Sequence, residues 1–112
     1  MHEYVLAQDI VETIGRTLGE NLPRLTDIHI EVGQFSSVVI ESLEFGLQLI
    51  LQEKNLPNVT IDISITPAFA ICECQHVYQV QDILEGCPVC HSYNREMTSG
   101  KDVIIKSIEI TE

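Results

Sequence analysis

Four cysteines fall into two short pairs, Cys72-x-Cys74 and Cys87-x-x-Cys90, separated by twelve residues in a chain that has no other cysteine. Two thiolate clips on opposing turns are how a zinc ribbon brings four sulfurs to one point, and soft thiolates suit a tetrahedral d¹⁰ ion. Gly86 and Pro88 flank Cys87, favouring a turn at the second clip. The first clip has one intervening residue where two are usual. In extended chain such residues point to the same side with Cα atoms roughly 6.6 Å apart, and side-chain rotation still lets both sulfurs reach one ion. Four thiolates close the coordination shell, so the expected role is a structural Zn(II) that contributes to folding of its own lobe rather than catalysis.

Other uses of the cysteines fit less well. A disulfide framework needs an oxidising compartment, yet Glu3, Asp9, Glu12 and Glu20 interrupt the stretch that a signal peptide would require. A thioredoxin-like Cys-x-x-Cys belongs at a strand-to-helix junction, whereas Cys87-Pro88-Val89-Cys90 lies in a loop-rich segment with a second pair as its partner.

A second set of donors stands at the other end of the chain. His2 follows Met1, and a side chain as bulky as histidine at position two is expected to block removal of the methionine, leaving the α-amine on Met1. That amine, a deprotonated His2 amide and the His2 imidazole would wrap one ion in adjoining chelate rings, and nitrogen donors of this kind suit tetragonal Ni(II) or Cu(II). Glu3 could add its amide or its carboxylate. The competing reading is a frayed terminus with a chance histidine, and the tripeptide alone leaves both open.

The elements that must position these groups follow from periodicity. Leu6, Ile10, Val11, Ile14 and Leu18 recur at helical spacing from about Tyr4 to Leu18, and Gly19 and Pro23 bracket the exit. Ile28, Ile30 and Val32 alternate with His29 and Glu31 in a half-buried strand ending near Gly33. A second helix is predicted from about Ser37 or Ile40 to Lys54 on the spacing of Leu43, Leu47, Ile50 and Leu51, and Asn55 and Pro57 end it. Val59, Ile61, Ile63 and Ile65 form the most regular strand. A last strand, Val103 to Ile110, is β-branched enough to be expected in the core. The predicted fold is α+β: a two-layer unit with a three-stranded mixed sheet covered by two helices, plus an inserted zinc-ribbon lobe. Its domains are 1–66, completed by strand 101–112, and a ribbon lobe over 67–100.

Charge and length narrow the function. The chain has 112 residues, 45% of them hydrophobic, with six Lys plus Arg against seventeen Asp plus Glu, for a formal net charge of −11. That balance opposes binding to a polyanion. Between Pro67 and Gly100 only Arg95 is cationic, so a ribbon that reads nucleic acid is not expected. No apolar run approaches a membrane span. A soluble, cytoplasmic protein without a membrane or nucleic-acid partner is the expectation, and a lobe of about thirty residues would need its metal to stay folded.

Met1-His2-Glu3, the helix that follows, Gly33-Gln34-Phe35-Ser36 after the first strand, Ser42-Leu43-Glu44-Phe45 in the second helix and the late cysteine pairs together resemble the HypA/HybF family of nickel metallochaperones. The resemblance spans essentially the whole chain. It implies a carrier rather than an enzyme, with a nickel site at the terminus, on Met1, His2 and Glu3, and a structural zinc on Cys72, Cys74, Cys87 and Cys90. It also implies delivery of Ni(II) as cargo to the large subunit of [NiFe]-hydrogenase, together with the GTPase HypB. Two departures stand out. The family's first cysteine pair normally has two intervening residues, so His76 or His91 could replace a thiolate here. Where relatives often carry an acidic residue after the first strand, Val39 stands, with Glu41 two positions on. The alternative function is a zinc-ribbon protein adaptor without nickel chemistry.

Overall fold

A computed structural model describes residues 2–112, with His2 represented by its backbone alone. Met1 and the imidazole of His2, two of the groups expected to hold nickel, lie outside the described residues. Helix α1 (His2–Leu18) runs into a 3-10 segment (Gly19–Arg24), followed by β1 (Leu25–Gly33), α2 (Ile40–Glu53) and β2 (Thr60–Thr66). Three short strands come next, β3 (Phe69–Cys72), β4 (Val77–Gln79) and β5 (Arg95–Met97), and β6 (Val103–Ile110) ends the chain's regular structure. Pro23 sits inside the 3-10 segment instead of after a helix stop. Helix α1 begins two residues earlier than its apolar periodicity announces, because its first turn is polar and carries Glu3, a charge favoured at a helix N-terminus.

Strands β2, β1 and β6 form one sheet with β1 in the centre. The end of β1 meets both the end of β2, where Gln34 N–H donates to Thr66 O at 3.0 Å, and the start of β6, where Gly33 N–H donates to Asp102 O at 2.8 Å. At the other end Thr111 N–H donates to Arg24 O at 2.8 Å. Strand β2 is therefore parallel to β1 and β6 antiparallel to it, the mixed sheet expected from a helical crossover followed by a returning strand. Two helices cover one face. Ala7, Ile10, Val11 and Ile14 of α1, Leu43, Leu47, Ile50 and Leu51 of α2, and Ile28, Ile30 and Val32 of β1 are all buried.

The last strand departs from expectation. No residue of β6 is buried, and Ile104 and Ile110 are 51% and 39% exposed. Its β-branched residues suit the pleat of an edge strand as well as that of a core strand, and only the strand order reveals that β1 takes the centre.

The chain divides into two compact units. The first comprises residues up to Glu31, Val38–Ser64 and Ile104–Glu112; the second comprises Val32–Ser37 and Ile65–Val103. The loop after β1 thus folds with the cysteine-bearing segment. Gly33 and Gly100 make this possible: a Cβ on Gly33 would strike the Gly100 carbonyl, and one on Gly100, whose φ is +87°, would lie 2.5 Å from Ala68 Cα. Only glycine permits such backbone contact.

Candidate metal centre

In the second unit, β3 pairs antiparallel with both β4 and β5, placing Ala70 opposite Tyr78 and Met97. Ala68, Ala70, Cys72, Tyr78, Val80 and Cys87 make a small buried cluster, against which Phe35 and Met97 pack. Two of the four cysteines are therefore part of the unit's core.

Each clip is a tight turn closed by backbone hydrogen bonds. In the first, Cys72 N–H donates to His76 O at 2.9 Å and Gln75 N–H to Cys72 O at 2.8 Å. In the second, Cys87 N–H donates to Ser92 O at 3.0 Å and His91 N–H to Cys87 O at 2.8 Å. Gln75 and His91, the residues directly after Cys74 and Cys90, hold φ values of +74° and +64°. Both turns thus bend through the left-handed region, where a non-glycine residue is strained, and do so at equivalent places. Turn geometry is also how the shorter first clip reaches the same arrangement as the second.

The sulfurs converge. All four Sγ atoms lie within 4.8 Å of one another. Cys72 and Cys90 are 3.3 Å apart and Cys74 and Cys87 3.7 Å apart, each pair joining a buried thiol to an exposed one. A tetrahedron with metal–sulfur bonds of about 2.3 Å has edges of about 3.8 Å, while a disulfide needs about 2.05 Å. All four cysteines are free. The arrangement is compatible with a structural zinc. His76 lies outside it, its ring stacked on Tyr78 with centroids 6.0 Å apart and planes at 8°, and His91 serves its turn through its backbone.

The surroundings favour the thiolate at Cys87 and the thiol at the other three. Burial opposes ionisation of Cys87, but backbone N–H groups of Cys90 and Val89 point at its sulfur, and with the Cys74 and Cys72 thiols they lower its pKa to about 7. Val89 N–H lies 3.4 Å from Sγ. Backbone N–H groups also point at the other three sulfurs, from Cys74 to Cys72, from His76 to Cys74 and from Ser92 to Cys90. Those three pKa values are nevertheless raised, since burial and the neighbouring thiols outweigh the N–H donors. One anion forms readily and further ones resist until a cation neutralises them. Cys72, Cys74, Cys87 and Cys90 would hold a zinc ion, which would supply that charge and tie the two turns together.

Two residues that support the centre were not singled out as such from the sequence. Arg95 donates from Nη1 to the Tyr78 hydroxyl at 3.2 Å and to Glu85 O, and from Nη2 to Ile83 O at 2.9 Å, pinning the loop that leads into Cys87. Its position as the sole cation between Pro67 and Gly100 was the available signal. Gln34 Oε1 accepts from Ala68 N–H at 3.2 Å, where the chain enters the unit.

In the first unit, Glu3 lies in the first turn of α1, and its Oε2 accepts from Val39 N–H at 3.2 Å, next to the start of α2. Glu3, Glu41, Tyr4 and Phe45 line one open groove. Helix α1 is thus held near its start by the Glu3 side chain. No helix among the described residues is long and apolar enough to cross a membrane.

Comparison with known proteins gives matches over nearly the full length of the chain. The family described as hydrogenase/urease nickel incorporation, metallochaperone, hypA, matches residues 1–110. Hydrogenase maturation factor HybF of Escherichia coli is 30% identical over 112 residues, covering 98% of this chain and 99% of HybF. Hydrogenase maturation factor HypA of Francisella philomiragia is 28% identical over 109 residues, covering 96% of this chain and 97% of its own. The solution structure of the nickel metallochaperone HypA from Helicobacter pylori superposes with a TM-score of 0.73 at 19% identity, covering 98% of this chain and 97% of that one.

Proposed function

Because the chain belongs to the HypA family of nickel-incorporation metallochaperones for hydrogenase maturation, we propose that it binds Ni(II) through Met1, His2 and Glu3 and passes it to the large subunit of [NiFe]-hydrogenase. The GTPase HypB is the proposed companion in delivery, the cytoplasm the proposed compartment, and Zn(II) on Cys72, Cys74, Cys87 and Cys90 the resident structural metal. The role is that of a carrier, not a catalyst.

The observation that carries this reading is the start of α1. The first four N–H groups of an α-helix have no intrahelical acceptor, so the amides of His2 and Glu3 can lose their protons to a metal without costing the helix a bond. The Glu3 carboxylate is already held by Val39 N–H, on the side where α2 begins. Amine, amide and imidazole nitrogens bind nickel only after losing protons, so acidification or a competing ligand set releases it, as a carrier requires. Selectivity over zinc rests on the tetragonal geometry that such nitrogen donors impose.

Nickel titration of the untagged, zinc-loaded chain tests the proposal. One tight equivalent should bind to the unmodified protein and be lost in His2→Ala, with zinc remaining near one per chain. An unchanged nickel isotherm in His2→Ala would overturn the terminal site.

A further inference from the structure

On the sheet of the first unit, three strands bring ionisable side chains to a single imidazole. His29 of β1 stands with Nδ1 3.1 Å from Asp62 Oδ2 of β2 and Nε2 2.7 Å from Glu109 Oε1 of β6. Asp27, two residues before His29 on the same strand, joins the group: Asp27, His29 and Glu109 each offer a ligating atom, and these atoms lie within 4.8 Å of one another. The side chains remain reachable, with His29 27%, Asp62 65% and Glu109 60% exposed.

The two ring nitrogens have different roles. In the tautomer that places the proton on Nδ1, Asp62 accepts it and turns the ring, as an outer carboxylate does for a metal-bound histidine. The neutral ring then presents the Nε2 lone pair to the Glu109 carboxylate at 2.7 Å. In that tautomer two lone pairs would meet at this distance, and a cation between them relieves the repulsion. A proton is one such cation. A divalent ion is the other: metal–nitrogen and metal–oxygen bonds of about 2.1 Å separate cis donors by about 3 Å, within a small side-chain rotation of the observed spacing. The Asp27 carboxylate supplies a third donor from the same strand.

We propose that His29, Glu109 and Asp27, with Asp62 orienting the imidazole, form a second and weaker site for a divalent transition ion of the zinc and nickel class, separate from the terminal chelate and from the four cysteines. One imidazole nitrogen selects against calcium and magnesium, whose preferred donors are oxygen. Two carboxylates neutralise the ion's charge, and water completes the shell. The donors stand on two hydrogen-bonded strands, β1 and β6, with the orienting Asp62 on a third, β2, which gives the site a rigidity that a surface loop lacks.

The test uses the zinc-loaded full chain with a two-residue N-terminal extension, titrated with Ni(II) alone. A weak nickel equivalent should persist, and Glu109→Gln and His29→Gln should each weaken it at least tenfold. Asp62→Asn should weaken it about 10- to 100-fold while leaving the donor set intact. In the unmutated chain, Ni(II) added beyond one equivalent should broaden the His29 ring resonances, a readout that depends on no variant. Absence of the weak equivalent from the extended chain, an isotherm unmoved by Glu109→Gln, or sharp His29 resonances in excess nickel would each overturn the site. If the terminal proposal fails instead, the extension leaves the tight isotherm unchanged, while the Glu109→Gln effect on the weak one remains readable.

Discussion

Arg95 and His29 show how single side chains acquire roles from neighbours distant in sequence. Arg95 joins Tyr78, Ile83 and Glu85, and because two of these three bonds are exposed and can be replaced by water, removing the donor costs about 0.5–1.5 kcal/mol. Arg95→Ala should therefore lower the midpoint of zinc loss against a chelator while leaving the four cysteines in place, measured by competition with a chromogenic zinc indicator. Glu109 and Asp62 raise His29 above its ordinary value of 6.5, chiefly through their hydrogen bonds to the ring. The stability this gives is fully present below about pH 6.5 and is lost as pH rises through the raised folded value. In urea with chelator present, wild type should exceed Glu109→Gln by more at about pH 5.5 than at about pH 8.5. A constant difference would mean that the histidine carries no charge in the fold. Neither residue's role was legible along the chain: β1 alternation identifies His29 as outward-facing, but Asp62 and Glu109 lie 33 and 80 residues away.

Among the elements, the strongest periodicities translated directly. The spacing of Leu43, Leu47, Ile50 and Leu51 locates α2, and β6 spans Val103–Ile110 as its composition predicts. Placement in the sheet was not legible, because composition distinguishes a strand from a helix better than a central strand from an edge, and β6 lies at the edge. The loop after β1 was the larger surprise. In the sequence Gly33 marks only the end of the first strand, yet Phe35 packs on the cysteine-bearing core and Gly33 touches the backbone at Gly100. Gly33→Ala should thus destabilise the second unit by about 1–3 kcal/mol through overpacking, read as faster amide exchange across β3, β4 and β5. Exchange equal to wild type would show that the two backbones can separate without cost.

At the scale of the molecule, the two compact units predict separable responses to metal. The second unit's buried cluster is small and includes Cys72 and Cys87 themselves. Structural zinc in small domains contributes about 10 kcal/mol or more of apparent binding free energy, so such a unit depends on it. Cys87→Ser should lose zinc and disorder Ile65–Val103, while the helices and the Ile28 and Ile30 core persist. A Cys87→Ser protein that retains stoichiometric zinc would contradict four-thiolate ligation. The cysteine spacing made this centre legible in advance. The turns at Gln75 and His91 were not, since residues without glycine's freedom give no sign that they will take positive φ.

The terminal chelate is tested most directly by paired calorimetric titrations with Ni(II), one on the native terminus and one on a chain extended by two residues. The extension turns the Met1 amine into an amide and removes a donor, but it changes no side chain of the buried core. The native chain should bind one tight equivalent; the extended chain should lose it, retaining only weaker binding, with zinc content and thermal stability near wild type. Equal tight affinity in the two proteins would contradict nickel binding through Met1, His2 and Glu3.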